Sequence, residues 1–253
     1  MMVRALLLGM LTLSMPAAAF NLNDLKSKVE ELKQSTSPAP SPQPSGLDTY
    51  SPQQQIESLK QALTQGAESA VQDLARADGY LGNPKVRIQM PENLRKVDSA
   101  LRKVGLGRYA DDFVTSMNRA AEAAVPEAKA LLIAAVKNMT VNDAKDILLG
   151  NDDAATQYFR RSTESALSAR FKPVVARSMD KVQLAQAYNR FAGKGVKLGL
   201  VKEKDAHLDD YITRKALDGL FLMIAEQEKA IRKDPLQATG DLARKIFSTL
   251  RGQ

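Results

Sequence analysis

Apolar residues recur every three to four positions through most of this 253-residue chain, and this spacing limits its fold more than any other feature. The pattern is clearest after Tyr50, where Ser51 is able to cap a helix and Pro52 fits its first turn. Aromatic residues make up only 5% of the chain, which disfavours sheets because strands are enriched in them. The sequence therefore predicts an all-α fold. The first apolar stripe comprises Ile56, Leu59, Leu63, Ala67, Ala70, Val71 and Leu74.

Glycine and proline divide the remainder of the chain into further predicted helices. Residues 85–90 alternate polar and apolar, but a single strand cannot form a sheet, so we expect an extended connection there. Eight to ten helices would form one bundle-like domain over residues 51–253. The later helices are predicted over residues 91–104, 108–124, from 126, over 140–149, from 152 past 171 with a kink or break at Pro173, and over 180–192, 209–234 and 241–250.

The first 19 residues have the pattern of an export signal. Arg4 precedes an apolar run over residues 5–13, Pro16 follows that run, and residues 17–19 are the small residues after which a signal peptidase cuts. The run is shorter than the ~20 residues needed to cross a bilayer. We therefore expect a signal peptide over residues 1–19, cleaved after Ala19, a periplasmic mature chain, and no transmembrane segment in that chain.

Two short segments are predicted between the signal and the helical domain. Residues 20–34 carry Leu22, Leu25, Val29 and Leu32 at helical spacing, which indicates an amphipathic helix. Residues 35–50 contain four prolines and several serines, which favour an extended linker. A tethered helix of this kind is the basis of one hypothesis for function, in which the protein is a scaffold with an N-terminal docking helix.

The residue types that most catalytic and metal centres need are scarce. The chain contains no cysteine and one histidine, His207, whereas a zinc site needs three or four ligands. We therefore predict no metal and no cofactor, and disulfides are impossible. Acidic pairs occur at 111–112, 152–153 and 209–210, at or near predicted helix starts, where carboxylates are expected to cap free backbone N–H groups.

Positive charge is concentrated in the second half of the chain. The net charge is +7, and between Arg160 and Lys204 eleven basic residues accompany only three acidic ones. Such a field attracts anionic partners, although a plain solvated surface is the alternative. The main hypothesis is a non-enzymatic binding or structural protein that contacts an anionic lipid, lipopolysaccharide or another envelope protein, without specific nucleic acid recognition. The candidate anion-binding residues are Arg160, Arg161, Arg170, Arg177 and Lys181.

A periplasmic hydrolase-type enzyme is the alternative function. It would need a cluster of polar side chains to converge in one pocket. In the predicted helix over residues 108–124, Asn118, Arg119 and Glu122 fall on the face opposite the apolar stripe. The complete candidate cluster is Asn118, Arg119, Glu122, Asp152, Asp153, Tyr158 and Arg160.

Two residues stand out in the predicted helix that follows Asp209. Asp218 interrupts an apolar stretch, yet it shares a helical row with Lys215, Leu222, Glu226 and Lys229, so we expect it at the surface. Gly219 costs about 1 kcal/mol relative to alanine in mid-helix. A glycine at this position therefore predicts close helix packing there.

Four blocks of sequence together resemble a bacterial family, domain-of-unknown-function family 4197. They are residues 79–84 (GYLGNP), 117–128 (MNRAAEAAVPEA), 152–160 (DDAATQYFR) and 215–226 (KALDGLFLMIAE). The resemblance covers most of the chain from about Gln53 to Phe247. It implies an exported, helical protein of Gram-negative bacteria without an assigned activity. It therefore supports the predicted location and architecture, and it supplies no catalytic residues.

Overall fold

The computed structural model describes residues 51–180, 182, 185 and 207–234, and within them the chain is all-α, as predicted. No strand occurs in these residues. Two short 3₁₀ helices, Glu92–Leu94 and Val125–Glu127, precede the second and fourth α-helices. The α-helices are α1 (Pro52–Ala75), α2 (Arg95–Lys103), α3 (Gly107–Ala124), α4 (Ala128–Asn138), α5 (Val141–Leu149), α6 (Ala154–Met179) and α7 (Leu208–Lys233).

Local capping signals set two of the helix starts. The Ser51 hydroxyl accepts the Gln54 N–H at 3.2 Å, while the Gln54 side chain accepts the Ser51 N–H at 2.9 Å. Thr140 and Asp143 make the same reciprocal pair at the start of α5, with distances of 3.1 and 2.9 Å. Both capping boxes satisfy backbone donors that a helix N-terminus leaves free, which confirms the predicted starts.

The core lies mainly between α1, α3, α4, α6 and α7. Helices α6 and α7 run antiparallel, because Lys172 pairs with Asp210 near one end and Ala155 bonds to Glu228 near the other. Burying each large apolar side chain contributes about 1.5–3 kcal/mol. The largest side chains that are almost completely buried include Phe113, Phe159, Phe171, Phe221, Tyr80 and Leu59.

Helix α6 continues through Pro173 from Ala154 to Met179, so the break that the sequence allows there does not occur. A proline inside a helix costs ~3 kcal/mol. Phe171, Val175 and Met179 are all buried around this position, and their packing offsets that cost. Helix α6 is therefore continuous, and exposed side chains are present up to its last two turns.

The segment between α1 and the first 3₁₀ helix is irregular, which confirms the predicted connection in place of a strand. It starts with Asp78 in the left-handed region, at a φ of 65°. Tyr80 and Ile88 are almost completely buried, so this connection belongs to the core. We call residues 78–90 the buried connection.

Several predicted segments lie outside the described residues. These are the signal peptide, the amphipathic helix and the linker of residues 1–50, and the two helices predicted over 180–192 and 241–250, apart from Asp180, Val182 and Ala185. The total of eight to ten helices therefore stays a prediction.

Candidate functional site

Asn118, on α3, holds the buried connection through its side-chain amide. The amide oxygen accepts the Ile88 N–H at 2.8 Å, and the amide nitrogen donates to the Ile88 carbonyl at 2.9 Å and to the Val114 carbonyl at 2.8 Å. The side chain thus gives Ile88 the backbone partners that a neighbouring strand would supply in a sheet. Asn118 is completely buried, so its predicted place on a polar outer face is wrong.

Glu122, one turn further along α3, holds the start of the same connection. One carboxylate oxygen accepts the N–H groups of Tyr80 and Leu81 at 3.0 and 3.1 Å. The other oxygen accepts Arg119 at 2.7 Å, and Arg119 also reaches Asp78 at 2.8 Å. Glu122 is also buried, against the prediction, because the connection covers this face of α3. The Arg119 side chain is 43% exposed, so this group of hydrogen-bonded side chains extends to the protein surface.

Tyr80 links α3 to α7. Its hydroxyl donates to the Ala216 carbonyl at 2.6 Å, and its ring lies against Gly219, so the close packing at that glycine is made by the buried connection, where the sequence predicts a helix. Burial raises the pKa of Tyr80, with smaller contributions from the carboxylates of Glu122 and Asp218. The hydroxyl therefore stays protonated and serves as a hydrogen-bond donor within the core.

The Arg160 side chain, on α6, contacts one aromatic ring and two carboxylates. Its guanidinium lies 4.5 Å from the centroid of the Phe221 ring and pairs with Glu164 at 3.0 Å and Asp218 at 3.6 Å. Asp218 is exposed, as are the other four residues of its predicted row, Lys215, Leu222, Glu226 and Lys229, which confirms the surface prediction. The charge of Arg160 is largely neutralised by these two carboxylates.

The N-terminus of α6 is capped by a residue that sequence reasoning missed. Glu228, on α7, accepts the N–H groups of Ala155 and Thr156 at 3.0 and 2.9 Å, and it pairs with Arg232 at 2.9 Å. Asp153 holds the N-cap position but makes no side-chain cap bond, so the predicted capping by the 152–153 pair is wrong. A signal was available, since Glu228 lies four residues after Ile224 and three before Ile231, on the apolar face.

The remaining candidate residues do not bond to the Asn118–Glu122 group within the described residues, and two of them bond to other parts of the protein. Asp152 and Asp153 are exposed, and Asp153 accepts the Gln157 amide at 3.0 Å. The Tyr158 hydroxyl donates to the Ala135 carbonyl at 2.8 Å, and burial raises its pKa. No hydrogen bond or ion pair in the described part of the chain joins these residues or Arg160 to the Asn118–Glu122 group.

An apolar cavity of about 20 Å³ lies near Glu228, and it has room for about one water molecule. An open groove of about 760 Å³ lies between α1 and α4, lined by side chains such as Glu57, Lys60 and Lys137. Within residues 51–180 and 207–234, no three histidine, cysteine or carboxylate side chains are grouped so as to hold a metal.

Three of the candidate anion-binding residues are exposed on α6. Arg161, Arg170 and Arg177 make no ion pair with any residue that the structure describes. Lys172, between them, is paired with Asp210 at 2.6 Å, and this hydrogen bond raises the pKa of Lys172. Lys181 lies outside the described residues.

Fold and site together define an all-α protein whose buried polar side chains hold its own backbone. Residues 49–248 match the family described as "Protein of unknown function (DUF4197)", and the chain belongs to this family. No curated protein and no solved structure matches the chain significantly. Among the helices in residues 51–180 and 207–234, none is long and apolar enough to cross a membrane.

Proposed function

We propose that this is an exported, periplasmic, non-enzymatic binding or structural protein that contacts an anionic envelope component through the exposed arginines of α6. The signal pattern in residues 1–19 supports the location. The exposed guanidinium groups of Arg170 and Arg177, seven residues apart on one side of α6, carry the binding hypothesis.

The polar interior supports a non-enzymatic role. A catalytic group must reach substrate, and its hydrogen-bonding capacity must be free for the reaction. Asn118 and Glu122 instead bond to backbone groups of the buried connection, and Glu228 bonds to the start of α6. Each of these side chains therefore has a structural task that a substrate would disturb.

The α6 arginines suit an extended anionic surface better than a small ligand. At a rise of 1.5 Å and a turn of about 100° per residue, Arg170 and Arg177 lie about 10 Å apart on one side of α6, whereas Arg161 lies on the opposite side. A guanidinium binds phosphate oxygens through two parallel N–H bonds, and its charge does not depend on pH in the physiological range. Phosphate groups spaced across a lipopolysaccharide surface would match this arrangement.

Binding to purified lipopolysaccharide tests the proposal. Replacing Arg170→Gln and Arg177→Gln together should weaken binding about thirtyfold at low salt, since each basic side chain near an anionic membrane surface contributes ~1 kcal/mol. Raising the salt concentration should weaken binding of the unaltered protein. The matched control, Lys137→Gln with Lys145→Gln, removes the same charge from α4 and α5 and should retain most of the affinity. The proposal of a specific α6 surface would be refuted if both double variants lost the same affinity for lipopolysaccharide, or if binding did not depend on salt concentration.

A further inference from the structure

Burial divides the five methionines in the described part of the chain into two groups. Met117, Met139 and Met179 are buried, whereas Met90 and Met223 are only partly buried beside the core. A dissolved oxidant attacks a methionine sulfur where solvent reaches it. Since the chain contains no cysteine, these two methionines are the most accessible oxidisable residues among those that the structure describes.

Met223, on α7, differs from Met90 in the contact that its sulfur makes. The Asn83 side-chain amide donates to the Met223 Sδ at 3.7 Å. Among the hydrogen bonds of residues 51–180 and 207–234, this is the one that a methionine sulfur accepts. A thioether is a weak acceptor. A hydrogen-bond donor therefore already faces the atom that oxidation would make strongly polar.

The buried connection holds Asn83 in place without help from the sulfur. The Asn83 side-chain oxygen accepts the Lys85 N–H at 3.1 Å, and its backbone carbonyl accepts two further N–H groups of the connection at 3.2 and 2.9 Å. Lys85 also pairs with Glu226, which lies one turn after Met223 on α7. The amide nitrogen of Asn83 is thus directed at α7 by contacts that oxidation of Met223 leaves intact.

The separation between Asn83 and Met223 has room for an oxygen atom. With an S–O bond of about 1.5 Å and an N···O distance of about 2.9 Å, a bent hydrogen bond from the amide to a sulfoxide oxygen spans the present 3.7 Å. Such a bond would offset the cost of placing a polar group at a partly buried position. At the buried methionines, a sulfoxide would instead disrupt apolar packing.

From these observations we propose that Met223 is a site of reversible oxidation, and that the Asn83 amide stabilises its sulfoxide in the folded protein. A peroxide is the oxidant. A lone pair of the Met223 sulfur forms the new S–O bond as the O–O bond of hydrogen peroxide breaks, and water leaves, so sulfur is oxidised and peroxide is reduced. A methionine sulfoxide reductase restores the thioether with a thiol reductant, which becomes a disulfide as water is released. This goes beyond the proposed function, because it concerns α7 and the buried connection, not the α6 arginines.

Peptide mapping by mass spectrometry after brief treatment with hydrogen peroxide tests the site. A Met90→Leu variant removes the other partly buried methionine with little change in volume. In this variant Met223 should gain one oxygen atom about tenfold faster than the three buried methionines, because buried sulfurs react only when the fold opens. A methionine sulfoxide reductase with dithiothreitol should remove that oxygen. Equal rates at Met223 and at the buried methionines would overturn the proposal.

Asn83→Asp is the matched variant for the role of the amide, because a carboxylate keeps an acceptor for the Lys85 N–H and lacks the donor to sulfur. Both proteins carry Met90→Leu, and urea unfolding compares each before and after oxidation. Oxidation should raise the unfolding equilibrium constant about fivefold more in the Asn83→Asp protein, which is the contribution of one hydrogen bond. Adding Met223→Leu should abolish this difference. An equal effect of oxidation with and without Asn83→Asp would overturn the role of the amide.

Discussion

Replacing Gly219→Ala tests the packing of the buried connection against α7. A Cβ atom at this position would lie 2.7 Å from Cε1 of Tyr80 and 3.2 Å from Cβ of Val86. The Tyr80 ring cannot easily move away, because it is completely buried and its hydroxyl is bonded to the Ala216 carbonyl at 2.6 Å. The added methyl group must therefore displace the connection or the helix.

Two opposing effects determine the size of the change. Alanine is favoured over glycine in mid-helix by about 1 kcal/mol. Overpacking a core costs about 1–3 kcal/mol, and the short distance to a fixed ring favours the upper part of that range. We expect Gly219→Ala to lower the free energy of unfolding by about 1–2 kcal/mol, measured from urea denaturation followed by circular dichroism.

Gly66→Ala is the matched control. A Cβ there would lie 3.7 Å from Cβ of Gln227 and 4.0 Å from Cδ1 of Ile231, which are ordinary contacts. This variant should gain about 1 kcal/mol from helix propensity. In a Tyr80→Leu background the clash with the ring is removed while the 3.2 Å contact with Val86 remains, so Gly219→Ala should lose part of its penalty. If Gly219→Ala stabilises the protein as much as Gly66→Ala, the reasoning is refuted.

Two further substitutions test the polar contacts. Glu228→Ala should cost about 3 kcal/mol in the same urea assay, because it leaves Arg232 and two backbone N–H groups without their partner, whereas the exposed Glu226→Ala should change stability by less than about 1 kcal/mol; similar losses would contradict the capping role. Hydrogen bonds from Thr140 lower the pKa of Asp143 below its ordinary value of 3.8. The charged carboxylate of Asp143 therefore stabilises the folded protein above pH ~4, and this stabilisation is lost as the pH falls further. Asp143→Asn should therefore be less stable than the unaltered protein at pH 7, by no more than about 1 kcal/mol, and the difference should shrink as the pH falls below ~4; a gap that does not change with pH would contradict this.

The helices can be predicted because their signals are local. Ser51 and Thr140 cap α1 and α5 through residues three positions away, and Gly150 follows the end of α5. Pro173 is the exception, because α6 continues through it. The apolar stripe of α7 can also be predicted, because the spacing of residues within one helix determines which of them share a face.

The positions of the polar side chains cannot be predicted in the same way. A helical wheel places Asn118 on an outer face, but the buried connection, some 30 residues earlier in sequence, covers it. Packing between distant segments decides such burial, and periodicity within one helix does not contain that information. Glu228 caps α6 from 72 residues away, whereas local reasoning assigns the task to the neighbouring Asp153.

Three of the four blocks that carry the family resemblance meet at the buried connection. Residues 79–84 supply Tyr80, residues 117–128 supply Glu122, and residues 215–226 supply Gly219, which contacts the Tyr80 ring. The remaining block supplies Arg160, which pairs with Asp218 on α7. These residues hold separate segments of the chain together, and the groups that they contact belong to the same chain. Substitutions among them should therefore change stability first, whereas substitutions of Arg170 and Arg177 should change binding with little effect on stability.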